Sequence, residues 1–143
     1  MYSALSVANF IIDYCNGKGR GVSNLKLQKI LYFVQAEFLV STHAPCFNDP
    51  IEAWDFGPVV PSVYHKYKIY GAGIIPFSSE EWPDERILDC DKKTIVSMVE
   101  QALPYSASQL VEITHSHDPW KNSYIRGYNN IISNESIRAY YEK

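Results

Sequence analysis

Residues 23–41 read as a helix with almost no polar side. Leu27, Ile30, Leu31, Val34 and Phe38 fall on one face, and Tyr32, Phe33, Ala36, Leu39 and Val40 cover most of the remainder. Only Lys26, Lys29 and Glu37 mark a wet side. A helix that is apolar nearly all round is stable in water only when other elements surround it, so the rest of the chain must enclose it. The chain has 143 residues, the usual size of one domain, which leaves little room for a second core. The expectation is a mainly α fold: a single compact helical domain over residues 1–143, with about six helices around the central one and one short β-hairpin.

The enclosing elements are punctuated by Gly and Pro. A first helix over residues 3–16 carries Leu5, Ala8, Ile12 and Cys15 on one stripe and stops at Asn16-Gly17. Ser23 or Asn24 caps the central helix. Pro45, Pro50 and Pro58 forbid a helix over residues 44–58, where Ile51 to Phe56 alternates like a strand; Cys46-Phe47 fits as its hairpin partner. A third helix starts near Pro61 and runs to Gly71 with Val63, Tyr67 and Tyr70 on one face. Residues 72–90 read as an irregular loop with a brief strand at 74–76. A fourth helix begins behind Asp91 and ends at Pro104. Ser106-Ala107-Ser108-Gln109 forms a capping box for a fifth. Asp118-Pro119 starts another, with Trp120, Tyr124 and Tyr128 four apart, and a last helix spans about 134–142.

Composition narrows the function classes. Thirteen Lys and Arg against sixteen Asp and Glu give a formal charge of −3. A nucleic-acid-binding regulator needs a basic stripe, and none is present. The longest purely apolar stretches are a few residues, far short of a membrane span, and the start lacks a secretory pattern, so a cytoplasmic protein is expected. Cys15, Cys46 and Cys90 are odd in number and widely spaced, which fits reduced core thiols and no CxxC metal site. Aromatics make up 14% of the chain, more than its core requires, so some rings should be available for recognition.

Candidate chemistry is sparse. His115 and His117 lie two apart at a helix end, where they point to different sides and cannot clamp one metal ion unless the chain has unwound. The alternative they define is a small metal-dependent hydrolase built on His115, His117 and Asp118 with Glu52 nearby. The bland reading is that His115 caps a helix C-terminus and that His117 or Asp118 opens the next helix. Gly17-Lys18-Gly19-Arg20-Gly21 lacks the Gly-Lys-Ser/Thr ending of a phosphate cradle. Glu52 and Asp55 flank Trp54 but face opposite sides of a strand. No catalytic residue, metal or cofactor is expected.

One region is dense in unusual residues. Residues 51–64 join Trp54, a constrained Gly57-Pro58 turn and a tyrosine-bearing helix. This is either a sheet-to-helix corner with Trp54 plugging the core, or a rigid turn presenting Phe56, Tyr64, Lys66, Tyr67 and Lys68 to a partner.

Asn24-Leu25-Lys26-Leu27-Gln28-Lys29-Ile30-Leu31-Tyr32-Phe33, followed by Ile51 through Tyr64, resembles the phage-associated GepA-like family, also called the SocA-like or Panacea antitoxin domain. The resemblance continues through Tyr67 to Gly71 and returns at Leu110 to His115 with Pro119-Trp120. It spans nearly the whole chain, and residues 72–105 match only as a variable connector. The resemblance implies a bacterial or prophage-encoded antitoxin that neutralises a cognate protein toxin by direct contact, without catalysis. Some members also act as proteolytic adaptors that hand the toxin to the ClpXP protease. The expected toxin-binding surface is Lys26, Lys29, Trp54, Phe56, Tyr64, Lys66, Tyr67 and Lys68. Leu27, Leu31, Gly57, Pro58, His115 and Trp120 are expected to serve the fold.

Overall fold

The structure is a computed structural model and describes residues 1–77 and 86–142. Its central element is α2, Asn24–Thr42, which the Ser23 side chain caps by accepting from the Lys26 amide and which ends in a left-handed turn at His43. Leu27, Ile30, Leu31, Tyr32 and Val34 are fully buried, as their spacing predicts. Around α2 stand α1 (Ala4–Gly17), α3 (Pro61–Tyr67), α4 (Asp89–Ala102), α5 (Ala107–His115), α6 (Asp118–Ser123) and α7 (Asn134–Tyr141). Seven α-helices are thus present among the described residues, six of them around the central one as expected. A small sheet of β1 (Ile51–Trp54), β2 (Gly57–Val59) and β3 (Ile131–Ile132) lies against one side of α2, all antiparallel in the order β2-β1-β3.

Several boundaries moved for identifiable reasons. The hairpin partner of β1 is β2, joined through Asp55-Phe56 with Trp54 opposite Gly57; Cys46-Phe47 instead meets Tyr2, whose amide donates to the Cys46 carbonyl at 2.8 Å. Pro58 is tolerated because β2 is an edge strand. Residues 74–76 form no strand. Ile75 is buried there, donating to the Val22 carbonyl and accepting from Asn16 Nδ2, both at 3.0 Å. Residues 78–85 of the expected loop lie outside the described residues. The third helix is split, with α3 followed by a 3₁₀ turn at Lys68–Tyr70 before Gly71. Helix α4 starts two residues before Asp91, placing Asp89 and Asp91 in the first turn, where the helix dipole favours them. The Ser106–Gln109 capping box forms as predicted. Helix α6 stops at Ser123, so Tyr128 leaves the expected row and sits in a turn opposite Ile125. Cys15 and Cys46 are buried, and burial pushes their thiols up to about 11 and about 12; Cys90 is exposed, contrary to the core reading.

The largest correction concerns the polar residues of α2. Lys29, expected on the wet side, is completely buried, with Nζ donating to the Pro58 carbonyl at 3.0 Å. Its aliphatic stem is covered because the hairpin closes over that side of the helix. Asn24, Gln28 and Gln35 are buried too. They share one stripe with Leu31 and bind backbone groups outside their own helix. Gln35 accepts from the Cys46 and Phe47 amides at 2.9 and 3.2 Å and donates to the Phe47 carbonyl at 2.9 Å. Buried backbone groups need such partners. Gln35→Leu should therefore cost about 2–4 kcal/mol, because it leaves three backbone groups unpaired in the core. Denaturant unfolding measures this, and a loss under about 0.5 kcal/mol would show that those groups find other partners.

Candidate binding groove

The hairpin tip is held by an aromatic clamp. Trp120 Nε1 donates to the Trp54 carbonyl at 2.8 Å, His115 Nε2–H donates to the Asp55 carbonyl at 2.9 Å, and the Tyr124 hydroxyl donates to the Asp55 carboxylate. His115, Trp120 and Tyr124 stack in succession, with centroids 4.0 and 4.6 Å apart. These contacts tie His115 of α5 and Trp120 of α6 to the hairpin turn. Leu27 and Leu31 are fully buried, and Gly57 takes a φ of +106° at the start of β2, directly after the hairpin turn.

Trp54 is no core plug. It lies half-buried on the outer face of β1, where its Nε1 donates to Glu52 at 2.9 Å and its ring meets Tyr64 edge-on at 4.9 Å. Together with Phe56, Tyr64 and Lys68 it lines a groove of about 530 Å³ between the hairpin, the first turns of α2, the α3 segment and the turn at residues 127–129. The structure thus brings together Trp54, Phe56, Tyr64 and Lys68 from the expected surface. It does not bring the other four to the groove. Lys29 is buried, and so is Tyr67, on the inner face of α3. Lys26 reaches away to the end of α4, donating to the carbonyls of Leu103 and Tyr105 at 3.0 and 2.6 Å. Lys66 is exposed on α3 but does not line the groove.

The sequence reading missed Asn24 and Gln28 at the groove floor and Tyr128 at its rim. Phe56 and Tyr128 are 66% and 65% exposed, large apolar rings offered to solvent around one concave surface. Arg126-Gly127, with Gly127 at a φ of +85°, was the turn signal that could have separated Tyr128 from the preceding helix.

The histidines do not converge. His117 Nδ1 lies 3.3 Å from the Tyr32 hydroxyl and 3.2 Å from that of Tyr141, in a half-buried setting that pushes its pKa down by desolvation. His115 is engaged with the hairpin, Glu52 with Trp54, and Asp118 with Lys121 at 3.7 Å. Among the described residues, no group of three or more His, Cys, Asp or Glu side chains gathers as metal ligands. The expected alternative site is therefore dispersed over different partners.

The chain is a mainly helical domain that braces a β-hairpin beside a groove lined with aromatic rings. Comparison with known proteins gives this domain a family. Residues 27–121 match the model of the family described as antitoxin SocA-like, Panacea domain. The chain is also 34% identical over 131 residues to antitoxin SocA of Caulobacter vibrioides (strain NA1000 / CB15N), covering 82% of this chain and 68% of that relative. The chain belongs to the SocA-like antitoxin family. No solved structure matches it. No helix among the described residues is long and apolar enough to cross a membrane.

Proposed function

We propose that this chain is a cytoplasmic, non-enzymatic antitoxin that neutralises a cognate protein toxin by direct contact, and that the groove bounded by Trp54, Phe56, Tyr64, Lys68 and Tyr128 is the surface that holds the toxin. Family membership supports the antitoxin role. The observation that carries the location is the cluster of exposed large rings around a groove on a braced scaffold. Such rings bury much area at low entropy cost and dominate binding energy at protein interfaces. The formal charge of −3 argues against nucleic acid as the partner.

Pull-down from the native host should recover one stoichiometric partner that poisons cells when expressed alone and is harmless with this chain. Tyr64→Ala with Lys68→Glu should weaken that complex by at least about tenfold while leaving the melting temperature nearly unchanged, because both side chains reach the surface. Undiminished binding by the folded double variant would displace the site from this groove. Delivery to ClpXP is the second half of the proposal. Toxin lifetime in cells should shorten when this chain and ClpXP are both present. Full rescue with an unchanged lifetime would make occlusion the whole mechanism.

A further inference from the structure

The polar groups of the groove are unevenly satisfied. Gln28 Oε1 accepts the Val60 amide at 2.8 Å, and a backbone amide can only donate, so the orientation of the Gln28 amide is set. Its Nε2 then donates to Asn24 Oδ1 at 2.9 Å, which sets Asn24 in turn, and Asn24 Nδ2 donates to the Tyr64 carbonyl at 3.1 Å. Each amide nitrogen carries two hydrogens, and this relay uses one of each. The second hydrogen on Asn24 Nδ2 and on Gln28 Nε2 has no acceptor among the described residues. Both side chains line the groove although only 3% and 1% exposed.

On the floor itself the acceptors are occupied, Asn24 Oδ1 and Gln28 Oε1 both being held within the relay. The Asp55 carboxylate lines the groove at the hairpin tip, where one of its oxygens accepts from Tyr124. What the floor has left over is donors. Lys68 adds a cation on the groove lining, and Asn24 and Leu25 of the first turn of the 19-residue helix α2 border the same space, the Ser23 cap taking only the Lys26 amide. An ionised acceptor that enters would make charge-assisted hydrogen bonds with these donors, which are stronger than neutral ones.

We propose that the groove takes a carboxylate carried on an extended apolar segment of the toxin: an Asp or Glu side chain received by Asn24, Gln28 and Lys68, with its large hydrophobic neighbours against Phe56 and Trp54. The partner named here rests on the antitoxin reading. A carboxylate fits because its two oxygens can accept from both amides while its charge meets Lys68. A volume of about 530 Å³ suits one acidic side chain and parts of its neighbours, not a docked helix.

The test is a titration of the full ¹⁵N-labelled chain with acetyl-Leu-Glu-Phe-amide and with its Gln analogue, followed on the side-chain amide signals of Asn24 and Gln28. The acidic peptide should shift both signals and bind about tenfold tighter than the neutral one, and Lys68→Gln should remove that preference. Equal binding of the two peptides would reduce the site to a carbonyl receptor and overturn the inference. So would binding of the acidic peptide that moves neither signal, or no binding at millimolar peptide. The titration needs no toxin, so the two readings fail separately. A failed peptide result beside intact rescue removes this inference alone, whereas the expected peptide result beside failed rescue removes the toxin as the bearer of the carboxylate.

Discussion

Gly57→Val is expected to destabilise the protein by about 3 kcal/mol or more and to lower the melting temperature by roughly 10 °C. Two independent strains act at this position. Its φ of +106° lies in a region that side-chain-bearing residues rarely enter, and valine, branched at Cβ, tolerates it least. A Cβ there would also lie 2.8 Å from Thr114 Oγ1 and 2.9 Å from Lys29 Cε. Neither neighbour can easily withdraw. Thr114 is fully buried, its hydroxyl donating to the Leu110 carbonyl at 3.0 Å, and Lys29 is enclosed beside it. The hairpin would have to lift away from α2 and α5 and release the contact between Lys29 and Pro58. Gly17→Ala is the matched control, since no atom lies within 4 Å of a Cβ built there; it should stay within about 0.5 kcal/mol of wild type. Calorimetry of both variants decides the matter, and an unchanged melting temperature for Gly57→Val would refute the account of the turn.

That the chain reverses beside Gly57 and Pro58 was legible from sequence, because both residues limit the backbone in ways that do not depend on the rest of the fold; the turn itself is Asp55-Phe56, and Gly57 and Pro58 belong to β2. The buried face of α2 was legible for a similar reason: apolar periodicity reports burial directly. Its polar residues were not. A lysine or amide in a sequence does not reveal whether its partner is water or a backbone group, and Lys29, Asn24, Gln28 and Gln35 all meet backbone. One signal was available. Asn24, Gln28 and Gln35 are uncharged amides on a single helical stripe with Leu31, a pattern better suited to pairing with buried backbone than to a solvated face. The two-residue strand β3 was too short to leave a period, and its pairing with Ile51 and Glu52 depends on contacts some 80 residues apart. The groove inherits that problem. Phe56 and Tyr64 are near each other in sequence, but Asn24 and Tyr128 reach it only through the closed fold.

Lys29 should make the stability of the protein rise with pH through neutrality. Burial among apolar groups pushes its pKa from the ordinary lysine range down to about 7, and the Pro58 carbonyl is its hydrogen-bond acceptor. In the unfolded chain the same ammonium titrates near 10.4. Between about pH 7 and 10 the unfolded state therefore binds more protons at this site than the native state, so unfolding becomes harder as pH increases. Below about pH 7 both states are protonated, and the full cost of burying the cation is present. The span corresponds to a gain on the order of 4 kcal/mol. Other groups oppose it at the alkaline end: the raised thiols of Cys15 and Cys46 and the raised phenol of Tyr32 favour unfolding as pH climbs past their ordinary ranges. The comparison is therefore wild type against Lys29→Met between pH 6 and 9, where these contributions cancel. Lys29→Met should be about 1–3 kcal/mol more stable than wild type at pH 6, since a buried charge is replaced by a chain of similar volume while the Pro58 carbonyl loses its donor. The advantage should shrink as pH rises. A constant difference across that range would show that Lys29 stays charged in the fold. Because Lys29 lies beneath the hairpin and not on the groove surface, a folded Lys29→Met should still rescue cells from the toxin; loss of rescue without loss of stability would return this lysine to the binding surface from which its burial removes it.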